Sequence, residues 1–309
     1  MLFIRRIRFH GRGGQGAKVA SRVLGTTAFY EGYYAQDFPL YGAERRGAPI
    51  TAFTRISNEP ILERGIISEP DIVIVIDETL LNDPIAMPLS GVKEGDVVFI
   101  NTTHQPDKAK ARYKICANVI TLDLTKIGID MLGAPVLSAL AGGAAARILG
   151  LSADSLKKAV EKEISEIITD RALIENNIDA ALFCFNAISP IEINLSPHVL
   201  SGEETTAVQK ESPVISVPFE PALISSPAIN AKANTPLRKT GNWRLFKPVW
   251  DHEKCTKCMM CVVSCPDGCI SVNPAGLPNT SYDNCKGCLI CVEVCPSEAI
   301  EAVREVHAG

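Results

Sequence analysis

The feature that most constrains this chain is a cysteine run that occurs twice near its C-terminus. Cys255, Cys258, Cys261 and Cys265 recur as Cys285, Cys288, Cys291 and Cys295, offset by 30 residues throughout, and each set is followed by a proline, Pro266 or Pro296. Ile270 and Ile300 keep the same offset, so the segment is a duplicated half-domain. In a run of C-x2-C-x2-C-x3-C-P, three cysteines on a tight loop can cap three irons of one cubane, while the fourth points to the other cluster. The spacing therefore assigns Cys255, Cys258, Cys261 and Cys295 to one [4Fe-4S] cluster, and Cys285, Cys288, Cys291 and Cys265 to a second. Zinc is the alternative, but a zinc site uses two C-x2-C pairs or mixed Cys and His and gives no reason for the third and fourth cysteines at this spacing. Cys269 aligns with Ala299 in the repeat and is expected to be a buried thiol near a cluster, not a ligand. Cys116 and Cys184 stand alone and are expected to behave as small buried hydrophobes.

Nine of the eleven cysteines lie between Cys255 and Cys295, and Met1–His10 has arginines but no apolar stretch behind them. This pattern predicts metal ligation in a reducing, cytoplasmic setting rather than disulfides behind a secretion signal. No apolar run approaches the roughly 20 residues needed to cross a membrane. The net charge of -4 leaves no nucleic-acid footprint.

Upstream, strands alternate with helices over residues 1–188. Ile4–Phe9 is expected to be a strand, followed by a glycine-rich turn and a helix over 17–30. Ile50–Ile56 alternates like a half-buried strand. Asp71–Asp77, Asp96–Asn101 and Val119–Leu124 are runs suited to strands covered on both faces. Helices are expected at Pro135–Leu149, at Asp154–Ile168 behind a Ser152 cap, and at Arg171–Ala187. The pattern predicts a three-layer α/β domain with a mostly parallel sheet over 1–188. Residues 189–241 are proline-rich and aperiodic and are read as an extended linker. Residues 242–309 form the two-cluster α+β domain.

Gly11-Arg12-Gly13-Gly14-Gln15-Gly16 follows a strand and opens a helix. It satisfies G-x-G-x-x-G at 11, 13 and 16, and Asp37 follows about 20 residues on, so a dinucleotide turn fits the pattern. A plain strand-to-helix turn fits it too. A third reading is a helix N-terminus holding an anionic group of a cofactor, with Arg12 and Lys18 placed to help. His10, beside the turn, is expected to be a satisfied structural histidine. Glu44-Arg45-Arg46-Gly47 is either a solvated charged turn or a loop facing a cofactor or interface, where a guanidinium suits phosphate or carboxylate.

With GRGGQG, then Tyr41-Gly-Ala-Glu-Arg-Arg-Gly47, then Glu-Pro-Asp71 before a strand, residues 3–188 resemble the gamma subunit of 2-oxoacid:ferredoxin oxidoreductases. The cysteine-rich segment resembles the bacterial two-cluster ferredoxins, as does the delta subunit of that family, so the chain resembles a gamma–delta fusion. The resemblance implies that Gly13, Gly14, Gln15, Gly16 and Arg46 match family positions associated with cofactor binding, and that no catalytic residue lies on this chain. It implies alpha and beta partner chains carrying thiamine pyrophosphate and Mg, and ferredoxin as the electron acceptor. Ala43 and Ala48 depart from the family pattern Y-G-P-E-x-R-G-G, which leaves coenzyme A use open. With the fused layout, they favour oxalate as the substrate, pyruvate being next. The rival readings are a flavin- or NAD-linked iron–sulfur oxidoreductase subunit and a non-catalytic electron carrier.

Overall fold

The computed structural model describes residues 3–40, 47–189 and 239–305. The chain divides into two compact units, Met1–Ala207 and Val208–Gly309. Most of the expected linker, 189–241, lies outside the described residues.

The first unit is built on a six-stranded sheet of order β2-β3-β1-β4-β5-β6. Its strands are β1 (Ile4–Arg12), β2 (Tyr34–Pro39), β3 (Pro49–Ser57), β4 (Ile72–Val75), β5 (Val97–Asn101) and β6 (Asn118–Leu122). β1, β4, β5 and β6 run parallel, while β3 pairs antiparallel with β1 and β2 antiparallel with β3. β4 and β5 are buried at every residue, as the continuous β-branched runs require of strands covered on both faces. The ladder bonds run past both ends of β4: the Asp71 N–H donates to the Arg6 carbonyl at 2.9 Å and the Ile76 N–H to the His10 carbonyl at 2.8 Å. Asp71 accepts the Arg6 N–H at 2.6 Å, and Asp77 accepts the Thr79 N–H at 3.0 Å to cap the 3-10 turn Glu78–Asn82.

Six helices complete this unit among the described residues: α1 (Ala17–Tyr30), α2 (Pro106–Tyr113), α3 (Leu124–Leu132), α4 (Ser138–Ile148), α5 (Ala153–Ser165) and α6 (Arg171–Ala187). α1, α4, α5 and α6 share one core with the sheet face that carries Ile7, Phe9, Ile74 and Phe99. The opposite face, with Val73, Val75, Val98 and Ile100, is covered by Ala109 of α2 and by Ile115 and Ala117. The result is the expected three-layer α/β arrangement. Ser152 caps α5 as expected, its hydroxyl accepting the Ser155 N–H at 3.2 Å. Strand β2 and helices α2 and α3 are additions to the sequence reading.

α4 is wedged between α1 and α6, and two glycines permit it. A Cβ at Gly142 would come within 2.6 Å of Val23 Cγ1, and one at Gly143 within 2.4 Å of the Ala181 carbonyl oxygen.

The second unit repeats itself in backbone as well as sequence. Its elements are β7 (Phe246–Trp250), α7 (Met260–Val263), β8 (Ile270–Val272), β9 (Pro278–Thr280), α8 (Ile290–Glu293) and β10 (Ile300–Arg304). β7 pairs antiparallel with β10, and β8 with β9. Left-handed residues at Lys257, Met259 and Gly268 recur 30 residues on at Gly287, Leu289 and Glu298. Around the second run, Arg244 donates to the Cys285 carbonyl at 3.1 Å and Thr240 Oγ1 to the Asn284 carbonyl at 2.7 Å, so the entry segment straps the loop.

Gly143→Ala is expected to force α4 away from a backbone carbonyl and to destabilise the chain by about 1–3 kcal/mol. Lys158→Ala on the wet face of α5 should stay within roughly 0.5 kcal/mol. Chemical denaturation of the two variants beside the parent, read at a signal of the first unit, checks the contrast.

Candidate metal centre

All eleven cysteines are free of disulfides. Cys265, Cys285, Cys288 and Cys291 line one small cavity, together with Cys269, Pro266 and Ile270. The crossing cysteine of the first run thus meets the three loop cysteines of the second, the grouping that the spacing assigns to one cluster. Among the described residues, no group of three His, Cys, Asp or Glu is arranged to hold a single metal ion. A cubane takes one thiolate at each of four irons, and these four cysteines share one cavity. The cysteines of the other set lie on the same small core. Cys261 is buried in it with Ile270 and Ile300, and Cys295 packs against it. Cys255 lies close enough to Cys261 to repel its thiolate. The Ala299 N–H donates to Cys295 Sγ at 3.3 Å, a backbone bond of the kind that stabilises a thiolate.

Cys269 is the fifth thiol of the cavity. Its sulfur is 3.4 Å from Cys265 Sγ. Its hydrogen bonds to Cys285 and Cys265, with burial, raise its own pKa, and the bond to Cys285 pulls the Cys285 thiol below its ordinary value. Cys269 is thus a buried thiol beside Cys265 and Cys285, as expected. Burial pushes the Cys291 thiol up to about 12, so that proton must leave when a metal binds. Cys184 is buried in α6 as expected, whereas Cys116 is exposed, its neighbours Ile115 and Ala117 taking the inward positions.

At the glycine turn the structure corrects one expectation. Arg12 is not held out toward an anion: it is 1 % exposed and fully engaged. Its Nε lies 3.3 Å from Asp77 Oδ2, its Nη2 donates to Thr79 Oγ1 at 2.6 Å, and its Nη1 donates to the Gly47 carbonyl at 3.2 Å. Gln15 closes the turn, accepting the Arg12 N–H at 2.8 Å and donating to Asp77 Oδ2 at 2.7 Å. The Gly13 N–H goes to the Ala48 carbonyl at 2.8 Å and the Gly47 N–H to the Gly13 carbonyl at 3.0 Å. The turn and the end of the Tyr41–Gly47 motif are therefore bonded neighbours. Arg46 lies outside the described residues. Gly14 is exposed, and a Cβ at Gly16 would come within 2.6 Å of Ser138 Cβ at the start of α4.

Asp37 does not stand at the mouth of this turn. It packs against α1 at Gly25, whose Cβ would meet Asp37 Oδ1 at 3.6 Å. Gly25 is nine residues beyond Gly16, about 13 Å along the helix. The acidic partner of a dinucleotide turn is thus misplaced. His10 is 3 % exposed, and neither ring nitrogen has a partner. Burial, reinforced by Arg8, drives its pKa down to about 3 and keeps the ring neutral. It is structural, but not hydrogen-bonded as expected.

Arg12→Ala is expected to leave Asp77 buried and unpaired and to cost about 3–5 kcal/mol, measured by denaturation. Cys265→Ser is expected to strip iron from the cluster of the second run while leaving the other, measured by iron analysis and by the electron paramagnetic resonance signals of the reduced protein.

Comparison with known proteins agrees with this geometry. The family described as pyruvate ferredoxin/flavodoxin oxidoreductase matches residues 6–186, and the 4Fe-4S dicluster domain matches residues 236–300. The pyruvate/ketoisovalerate oxidoreductases common subunit gamma of Thermococcus kodakarensis is 42 % identical over 182 residues, 58 % of this chain and 95 % of that protein. Pyruvate synthase subunit PorC of Methanothermobacter marburgensis is 44 % identical over 168 residues, 53 % of this chain and 89 % of that protein. Among solved structures, pyruvate oxidoreductase subunit PORC of Thermotoga maritima aligns with a TM-score of 0.51 at 32 % identity, over 59 % of this chain and 96 % of that one. These relatives cover 53–59 % of this chain, and the cysteine-rich segment has its own family match. The chain belongs to the pyruvate ferredoxin/flavodoxin oxidoreductase family and is an electron-transfer subunit of a 2-oxoacid:ferredoxin oxidoreductase, with a 4Fe-4S dicluster domain on the same polypeptide.

Proposed function

We propose that this subunit takes the electrons released when partner alpha and beta chains decarboxylate a 2-oxoacid, and passes them singly to ferredoxin. The observation that carries this is the cavity in which Cys265 of one run joins Cys285, Cys288 and Cys291 of the other. We assign these four to one [4Fe-4S] cluster, and Cys255, Cys258, Cys261 and Cys295 to the second. When bound, a cluster of this type supplies a one-electron site whose potential its surroundings tune. The chain's own part is to hold eight thiolates in two sets, to exclude water with Ile270 and Ile300, and to aim N–H and S–H donors at the sulfurs.

In this reading, thiamine pyrophosphate and Mg sit on the partner chains, which fits the lack of a catalytic set in the sequence of the first unit. The glycine turn, Gly13, Gly14, Gln15 and Gly16, faces the partners or their cofactor through its exposed Gly14 edge, and Arg46 is assigned to the same role from its place in the sequence motif. Support comes from the bonds that tie the turn to Gly47 and Ala48. Arg12 belongs to the scaffold beneath. The protein works in the cytoplasm; consistent with that, no helix among the described residues is long and apolar enough to cross a membrane.

Pyruvate is the substrate best supported, since the relatives above are named for it. Oxalate is the second reading, favoured by Ala43 and Ala48 and by the fused layout. The experiment is an anaerobic dye-reduction assay on the complex purified through this chain, with pyruvate and with oxalate, each with and without coenzyme A. Pyruvate turnover that requires coenzyme A is the expected result. Oxalate turnover without it would establish the second reading. Purification as a lone, inactive chain would favour a plain electron carrier.

A further inference from the structure

Two buried hydrogen-bond donors of the second unit have no partner in the polypeptide: Trp250 Nε1 and Thr280 Oγ1. Their positions are related. They are 30 residues apart, the offset of the repeat, and each precedes the first cysteine of its run by five residues. The backbone keeps the relation: Trp250 lies opposite Ile300 in the β7–β10 pair, and Thr280 opposite Ile270 in the β8–β9 pair. Ile270 and Ile300 each follow a crossing cysteine, Cys265 or Cys295, by five residues. Each donor therefore sits beside the strand that leaves one crossing ligand.

A buried donor without an acceptor costs about 1–3 kcal/mol. One such group can be a packing defect, but the same defect at both copies of a duplicated position points to an acceptor that both halves share, a sulfur of the cluster or of its ligands. Trp250 packs on the core formed by Cys261, Ile270, Cys291 and Ile300. Its N–H is turned toward the sulfur of Cys261 without reaching hydrogen-bond geometry. By the offset of the repeat, the counterpart of Cys261 near Thr280 is Cys291.

We propose that Trp250 Nε1–H and Thr280 Oγ1–H are sulfur-directed donors, one for each cluster. Trp250 serves the cluster of Cys255, Cys258, Cys261 and Cys295, and Thr280 that of Cys285, Cys288, Cys291 and Cys265. The inference rests on the two-cluster reading above. A donor to a cluster sulfur favours the reduced, more negative state and raises the potential of that cluster. The two halves differ in kind here. The indole N–H is fixed by its ring, whereas the hydroxyl rotates and can also accept. The donors therefore set the two potentials separately within one duplicated fold.

The test uses the complex purified anaerobically through the full chain, carrying Trp250→Phe or Thr280→Val. Iron and sulfide analysis of the parent comes first: a parent short of two clusters would sink the underlying reading and not this inference alone. With full iron, potentiometric titration followed by electron paramagnetic resonance should show one cluster shifted to lower potential in each variant, a different one in each, the other being unmoved. Unchanged potentials at full iron content would overturn the proposal. If a variant loses iron, the parent decides. With 15N-labelled indole and in deuterated buffer, electron–nuclear double resonance on the reduced protein should show the Trp250 nitrogen and an exchangeable deuteron coupled to a cluster. Absence of the nitrogen coupling would overturn the assignment of Trp250.

Discussion

Chelation by two incomplete halves is the constraint on which the second unit depends. In the proposed assignment, each cysteine run presents three thiols on one loop and sends its fourth to the other set, so neither half would hold a cubane by itself. The cavity that joins Cys265 to Cys285, Cys288 and Cys291 shows this interlock for one set. The arrangement explains why both halves keep the same left-handed corners and paired two-stranded sheets despite their divergence elsewhere. A loop that drifted would lose a ligand for its neighbour as well as for itself.

In the first unit the comparable anchor is the Arg12–Asp77 pair. A charge this deep is tolerated because every neighbour answers it: Asp77, Thr79, the Gly47 carbonyl and, at 4.0 Å, Asp83. The pair joins the end of β1, the end of β4 and the return of the chain into β3. It therefore fixes the glycine turn from below and leaves the Gly14 edge outward. Such a buried pair contributes little net stability compared with apolar packing, but it defines one geometry for three chain segments.

Much of this was legible in the sequence, and the exceptions have physical causes. β4 and β5 were readable because strands covered on both faces need unbroken apolar runs. α1, α5 and α6 were readable from periodicity and, for α5, from the Ser152 cap. β2 was not: Tyr34–Pro39 is an edge strand with no buried residue. α2 was missed because its surface is almost wholly polar and only Ala109 is buried. α3 follows β6 after one residue, so its apolar positions merge with those of the strand. Arg12 was misread because its partners, Asp77 and Thr79, lie more than sixty positions away, and an arginine beside a glycine turn looks like an anion ligand until they are found. The cysteine spacing is local, and the cavity holds the four cysteines it places in one set, with Cys269 beside them.

The left-handed corners of the second unit have a further consequence. Lys257 and Glu298 occupy left-handed conformations where the other copy has Gly287 and Gly268, and Met259 and Leu289 adopt them in both copies. Non-glycine residues held there cost of order 1–3 kcal/mol each. The fully buried apolar core beneath is Ile270, Ile300 and cysteines, with Trp250, Val262, Tyr282 and Val292 packed partly exposed against it, and a scaffold of this size rarely closes its own free-energy balance. Metal affinity has to make up the difference, so for this unit acquiring its inorganic centres and acquiring its shape are a single equilibrium. Oxidative loss of a cluster would then be registered as unfolding of the electron-transfer module, not as a folded subunit that has merely stopped conducting.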